Sequence, residues 1–249
     1  MLENIRRISS RLSGASSVCV LTGAGISADS GVPTFRGKDG LWRNFRAEEL
    51  ATPEAFRRDP KLVWEWYNWR REIVATKIPN AAHLALAAME RQSPSFTLIT
   101  QNVDGLHAKA GSKNLIEIHG NIWKVRCTAC GCISMNEDVP VHILPYCRQC
   151  NGLLRPHIVW FGESLDPADI TRSRDALHRC DVLLIIGTSG IVQPAASFAS
   201  VAKSAGAYVI EVNIEAIPNS DLVDETLIGR ASEIVPMLIK GAVFEGSGL

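Results

Sequence analysis

The sequence predicts an α/β fold built on a parallel, doubly wound sheet. Five short apolar runs read as buried strands: SVCVLT (17–22), FTLIT (96–100), NLIEIH (114–119), DVLLIIGT (181–188) and AYVIEVN (207–213). Helical patterns at 80–92, 166–179 and 194–205 lie between them, and another follows at 231–240. Strands alternating with helices favour a parallel sheet covered on both faces. At 249 residues the chain suits one large domain, or a main domain carrying an inserted one.

Taken in order, residues 2–13 form a short amphipathic helix that leads into the first strand. That strand runs into TGAGISADSGVPTFRG (22–37). Gly23, Gly25 and Ala28 place small residues where backbone N–H groups approach a pyrophosphate. A plain strand-to-helix turn is the bland reading of the same residues. Asp29, Ser30, Gly31 and Pro33 then interrupt the helix that usually follows, and the chain continues as a polar loop ending Phe35-Arg36-Gly37. Two segments break the strand–helix alternation: 38–79, helical and rich in Trp, and 121–153, rich in Cys and turns. Both read as excursions from the sheet.

Lys plus Arg is 26 and Asp plus Glu is 26, so no net field favours nucleic acid or an anionic membrane. There is no apolar run of membrane-spanning length and no signal-peptide core at the N-terminus, so a cytoplasmic location is the default expectation. Seven cysteines are an odd number, and four of them pair as CxxC, which favours a metal over a disulfide framework. Cys127-Thr-Ala-Cys130 and Cys147-Arg-Gln-Cys150 stand 16 residues apart, inside the window for one four-thiolate Zn2+ site. Four thiolates close the coordination sphere, so the ion is read as structural. Cys132 is an alternative to Cys130 that the matching spacing disfavours. Cys19 and Cys180 read as buried core thiols.

The polar residues gather at strand ends. FTLIT leads into Gln101-Asn102-Val103-Asp104-Gly105-Leu106-His107, the third strand ends at His119-Gly120, the fourth at Gly187-Thr188-Ser189 and the fifth at Asn213-Ile214-Glu215. The carboxyl edge of a parallel sheet is where open α/β folds take ligands. Singly, each group has a structural explanation as a cap, a turn or a satisfied histidine. Jointly they mark one edge.

With these residues in view, the chain resembles the sirtuins, NAD-dependent protein deacylases. The resemblance rests on TGAGISADSGVPTFRG (22–37), TQNVDGLH (100–107), HG (119–120), the CxxC pair, VWFGE (159–163), GTS (187–189) and EVN (211–213), in family order over about 20–240. It implies a Rossmann-type large domain (1–37, 80–120, 154–249) and a small domain made of a helical insertion (38–79) and a zinc ribbon (121–153), with NAD and acyl-lysine in the cleft between. It further implies cleavage of the nicotinamide–ribose bond with attack by the acyl oxygen on the ribose. His119 would be the base that activates a ribose hydroxyl, since an imidazole of pKa about 6.5 accepts protons at neutral pH. Asn102 and Asp104 would line the nicotinamide pocket, Gln101 would join Asn102 at the ribose, and Phe35 would shield the reacting sugar. Gly23, Ala24, Gly25, Ser27, Arg36 and Trp42 are matched to the cofactor site, with Gly187, Thr188 and Ser189 across the cleft. Asn213 would hold the adenosine ribose, with Ile214, Glu215 and Ala231 toward the adenine. Val159, Trp160, Phe161 and Gly162 match the segment that pairs strand to strand with the substrate peptide.

On the helix at 60–76, Leu62, Trp66, Trp69 and Ile73 are expected to form the core face, with Tyr67 and Arg70 as i, i+3 neighbours beside it. A solvated Arg beside a rim Tyr is the bland reading. The Tyr-x-x-Arg instead matches the sirtuin subgroup that prefers succinyl and malonyl groups: a guanidinium fork and a phenol suit a carboxylate. Ala51 matches that subgroup's small residue, which leaves room for a longer acyl chain. The other histidines are weaker candidates for the base: His107 follows a helix-like segment and reads as structural, His83 and His178 sit in helices, His157 in a strand and His142 in the zinc loop. Protein ADP-ribosyl transfer, deacetylation without an acidic-acyl preference, and a zinc-ribbon nucleic-acid-binding module are the rival readings. A dehydrogenase fits poorly, because no acidic residue ends a second strand about 20 positions after the glycines. The expected partners are acylated-lysine proteins, with neither membrane nor nucleic acid indicated.

Overall fold

The computed structural model describes residues 2–33, 46–216 and 222–241. The elements are α1 (Leu2–Ser13), β1 (Ser17–Thr22), α2 (Gly25–Ala28), α3 (Ala47–Leu50), α4 (Pro53–Arg58), α5 (Pro60–Ala75), α6 (Ala81–Gln92), β2 (Ser95–Thr100), α7 (Leu106–Ala110), β3 (Leu115–Glu117), β4 (Gly120–Cys127), β5 (Ile133–Met135), β6 (Leu154–Ile158), α8 (Pro167–Arg179), β7 (Val182–Ile186), α9 (Phe198–Ser204), β8 (Tyr208–Asn213), β9 (Glu225–Ile228) and α10 (Ala231–Gly241).

Six strands form one sheet in the order β3-β2-β1-β7-β8-β9, and every pairing is parallel. Side chains alternate across it as the period of two requires. Val18, Val20, Leu98, Leu184 and Val212 face α1, α6 and α10 through Ile8, Leu12, Leu86, Met89, Val235 and Leu238. Cys19, Leu21, Ile99, Leu183 and Val209 face α8 and α9 through Leu177, Phe198 and Ala202. The predicted α/β class therefore stands, with helices on both faces. Cys19 and Cys180 are core residues, as expected.

β5, β4 and β6 form a second, antiparallel sheet of three strands in the order β5-β4-β6. It shares an apolar cluster with α3, α4 and α5, built on Leu50, Phe56, Trp64, Tyr67, Ile122 and Trp160. The helices start where side chains cap them: Thr52 Oγ1 accepts from Ala55 N, and Asp59 Oδ1 from Leu62 N, each just before a proline in the first turn.

The buried face of α5 differs from the expected one. Val63, Trp64, Tyr67, Asn68, Arg71 and Val74 are buried with Trp66, whereas Leu62, Trp69 and Ile73 stay partly exposed. Two polar side chains inside the interface explain the difference. Arg71 bonds the carbonyls of Ile122 (2.8 Å) and Asn136 (2.6 Å), and Asn68 pairs both ways with the Val141 backbone (2.8 and 2.9 Å). Among the described residues no helix is long and apolar enough to cross a membrane.

Candidate active site

The strand order reverses between β1 and β7, so their outgoing loops part company there and leave a crevice at the carboxyl edge. The two loops touch closely. Gly23 N donates to Ile186 O (3.0 Å) and Gly25 N to Gly187 O (2.9 Å). Gly187 has φ +60°, and a Cβ there would sit 2.5 Å from Ile26 N; one at Gly25 would sit 2.7 Å from Gly187 Cα. These glycines are therefore demanded first by the crossing of two backbones. Of the three residues matched to a pyrophosphate cradle, Gly23 and Gly25 already spend their N–H groups inside the protein, while Ala24 N–H has no partner among the described residues.

Beneath the Gly-rich loop lies a buried polar network. Ser27 Oγ donates to Asp104 Oδ2 (2.8 Å) and lies 3.2 Å from the donor Asn102 Nδ2 and 3.4 Å from His83 Nε2. Asn102 Nδ2 also donates to Gly23 O (3.0 Å), and Asp104 Oδ1 accepts from Leu106 N (2.8 Å). Burial pushes the Asp104 carboxyl above its ordinary value, opposed by the Leu106 and Ser27 hydrogen bonds and the charge of Arg70. Ser27 is 1 % exposed, so it supports Asn102 and Asp104 from below instead of lining the crevice. Asn80 N donates to His83 Nδ1, which leaves the proton of that ring on Nε2, facing Ser27. His107 Nε2 meets Thr22 Oγ1 (2.9 Å), and the two imidazoles stand 4.8 Å apart. Burial lowers both, His83 to about 4, which favours the neutral form of each ring.

His119 sits between β3 and β4, half-buried. Its Nδ1 lies 3.0 Å from Gln101 O, and a carbonyl only accepts, so the ring proton is on Nδ1. Nε2 is left as the basic atom. Burial lowers the imidazole pKa, with the Gln101 bond opposing, so the neutral base predominates at pH 7. The backbone turn that aims this ring needs Gly120: at φ +82°, a Cβ there would lie 2.1 Å from His157 O. Across the crevice Asn213 Nδ2 holds Thr188 O (2.7 Å), fixing the loop after β7. Thr188 and Asn213 are buried; Ser189, Ile214 and Glu215 are exposed; Ala231 is packed into the core at the start of α10. Phe35, Arg36 and Trp42 lie outside the described residues.

The segment 159–162, matched to the substrate peptide, follows the end of β6 at Ile158 and turns, with Gly162 at φ +84°. Three consecutive donors are already used, Val159 N to His119 O (2.9 Å), Trp160 N to Glu163 Oε2 (2.9 Å) and Phe161 N to Ala51 O (2.9 Å). A peptide laid along this segment must meet its other groups. The Val159 and Phe161 bonds tie it to both His119 and the small buried residue Ala51.

Tyr67 is no rim residue. It is 2 % exposed, and its Oη accepts a 2.8 Å bond from Trp160 Nε1. Burial pushes its pKa up to about 12. Arg70 is half-buried, its guanidinium 5.2 Å from the Trp66 ring. Burial lowers its pKa, while the fields of Tyr67 and Asp104 raise it, so both lie close enough to be felt.

The four CxxC sulfurs lie within 4.8 Å of one another, with Cys127–Cys150 at 3.4 Å and Cys130–Cys147 at 3.8 Å. A tetrahedral Zn–S bond of about 2.3 Å sets S···S separations of about 3.8 Å, so the donor set fits such an ion. Backbone N–H groups of Ala129, Cys130 and Gln149 point at Cys127 and Cys147 Sγ (3.4 Å each), as thiolates require. The Sγ of Cys132 lies instead 3.9 Å from Ile133 O, which settles the choice for Cys130. The cluster has the donors and the spacing to hold a metal ion.

Sheet, crevice and cysteine cluster together define an α/β protein with its polar groups at a topological switch point and a ribbon-like lobe carrying four clustered cysteines. Residues 23–194 match the Sir2 family, and the chain belongs to that family. It is 55 % identical over 86 % of its length to an NAD-dependent protein deacylase of Aquifex aeolicus, covering 90 % of that protein. A Pyrococcus furiosus protein of the same name is 48 % identical over 96 % of this chain and 97 % of its own. Among solved structures, a Sir2 homologue in complex with NAD superimposes with a TM-score of 0.90 at 46 % identity, covering 95 % of this chain and 93 % of that one. A Sir2 protein bound to a p53 peptide and NAD gives 0.85 at 29 % identity, covering 95 % and 97 %.

Proposed function

We propose that the chain is an NAD-dependent protein-lysine deacylase that removes succinyl, malonyl and acetyl groups, giving nicotinamide, O-acyl-ADP-ribose and free lysine. One observation carries the chemistry: a neutral imidazole, His119, with Nδ1–H tied to Gln101 O and Nε2 left basic, beside the crevice that Asn102 and Asp104 close from below. NAD supplies an activated ribose carbon when nicotinamide leaves. Asn102 and Asp104, held rigid by Ser27 and Leu106 N, orient the nicotinamide amide. His119 takes a proton from a ribose hydroxyl at Nε2. Ala24 N–H, Thr188 and Ser189 serve the phosphates, and Asn213, Ile214 and Glu215 the adenosine end. Gly23, Gly25 and Gly187 act by letting the two loops meet.

The ion is read as structural Zn2+, held by Cys127, Cys130, Cys147 and Cys150, and it takes no part in the chemistry. The division into a large domain and a small one, the latter from 38–79 and 121–153, belongs to the same reading. Separate apolar clusters around the two sheets support it.

The acidic-acyl preference rests on Tyr67 and Arg70. A buried phenol that shares an apolar cluster with the small Ala51, and a half-buried guanidinium within the field of Asp104, fit a carboxylate at the end of an acyl chain. The test is kcat/KM for succinyl-lysine and acetyl-lysine peptides before and after Arg70→Met. Succinyl turnover is expected to lose about 2–5 kcal/mol of transition-state stabilisation relative to acetyl, because a desolvated carboxylate is left unpaired. Equal effects on both peptides would remove the preference and leave a plain deacetylase.

A further inference from the structure

We propose that the indole N–H of Trp160 is a positioning element for acyl selectivity: it occupies the acceptor side of the Tyr67 hydroxyl and so commits the phenolic proton to an acidic acyl group. This rests on the acidic-acyl reading of Tyr67 and Arg70.

Indole Nε1–H can only donate, whereas a phenol both donates and accepts. At 2.8 Å the direction is therefore fixed, with Tyr67 Oη accepting from Trp160. Both residues are 2 % exposed, so few protein or solvent groups compete for the remaining proton. Among the described residues no acceptor for the Tyr67 proton is found. A buried hydroxyl with an acceptor bond and an unused proton is a donor awaiting a ligand. The pKa of about 12 keeps that proton in place at all working pH values. Donation into Oη also polarises the phenol and strengthens its own O–H as a donor.

The indole is held on several sides. Trp160 N bonds Glu163 Oε2 (2.9 Å), and Arg155 grips both oxygens of the same carboxylate (2.5 and 2.9 Å). The Arg155 guanidinium carbon lies 3.3 Å from the Trp160 ring centroid. The Phe56 ring stands 5.3 Å away, and Trp66 packs edge-on against Tyr67 at 4.6 Å. With both rings fixed, the phenolic proton swings in a restricted arc, away from the lone pair that meets the indole. An acetyl group presents no carboxylate to it, so the bond matters only for acidic chains.

The experiment measures kcat and KM for succinyl and acetyl peptides in the wild type, Trp160→Phe, Tyr67→Phe and the double variant. Trp160→Phe should lower the succinyl-to-acetyl kcat/KM ratio about 10-fold, the scale of one lost hydrogen bond, through KM for the succinyl peptide. The double variant should show no lower ratio than Tyr67→Phe alone, because the two side chains act through one proton. Benzothienylalanine at position 160 replaces N–H by sulfur at nearly constant ring volume, and should reproduce the loss even where Trp160→Phe folds poorly. Equal loss on both peptides, or additive effects in the double variant, would overturn the proposal. A Tyr67→Phe variant that keeps the wild-type ratio would instead remove the acidic-acyl reading, and this inference with it.

Discussion

Acid should unfold this protein through its buried histidine pair before it titrates the surface carboxylates. His83 is fully buried, with a pKa near 4 against an ordinary 6.5, and burial is the cause. His107, 4.8 Å away, is lowered in the same direction. A histidine depressed in the folded state binds fewer protons there than in the unfolded chain. Its contribution to stability is therefore complete above pH 6.5 and is lost as pH falls toward the folded value. For His83 alone, the linkage relation with these two pKa values gives a loss of about 2 kcal/mol between pH 7 and pH 5. Asp104 works the other way. Its folded pKa is raised, so it takes up a proton earlier in the folded state and offsets part of the loss toward the acid end. The assay is urea unfolding of the wild type and His83→Gln at both pH values. The difference in pH slope isolates one imidazole from all other titrating groups. Identical slopes would refute the neutral, desolvated state assigned to His83.

Two further outcomes follow from the same contacts. Gly187→Ala forces a side chain into a left-handed backbone and within 2.5 Å of Ile26 N, so it should cost about 2–4 kcal/mol in urea unfolding and raise KM for NAD; a wild-type midpoint would contradict the loop crossing. Removing the metal with a chelator, or Cys150→Ser, should release one ion per chain by elemental analysis and loosen β4, β5 and β6 by hydrogen exchange, since structural metal binding is coupled to folding; unchanged protection of those strands would contradict a structural role.

Much of this was legible in the sequence, and the reasons are physical. Strands β1, β2, β7 and β8 are buried on both faces, so they appear as continuous apolar runs that nothing else in the chain imitates. β9, ETLI, was not seen because it is a four-residue edge strand with only Leu227 buried. The core face of α5 was misplaced because Arg71 and Asn68 are buried by bonding carbonyls, which hydrophobic periodicity cannot register. Spacing identified Gly23 and Gly25 as positions for small residues but not what approaches them; the neighbour is Gly187, more than 160 residues on. CxxC spacing picked out the four cysteines that cluster, and the direction of the Cys132 side chain agrees with the spacing that disfavoured it. Strand-end chemistry pointed to His119 and Asp104, and the Gly-rich motif to Ser27, but no pattern showed that Ser27 bonds Asp104 or that His83 stands behind Ser27. The Trp160–Tyr67 bond joins residues 93 positions apart, and no sequence signal announces it.

The most direct test of the central claim is mass spectrometry of the products formed from NAD and an acylated-lysine peptide by the wild type and by His119→Ala. The account predicts equimolar nicotinamide, free-lysine peptide and O-acyl-ADP-ribose from the wild type, and loss of steady deacylation in the variant, whose crevice no longer holds a base. Deacylation at the wild-type rate without the imidazole, or ADP-ribose attached to protein in place of the acylated nucleotide, would contradict it.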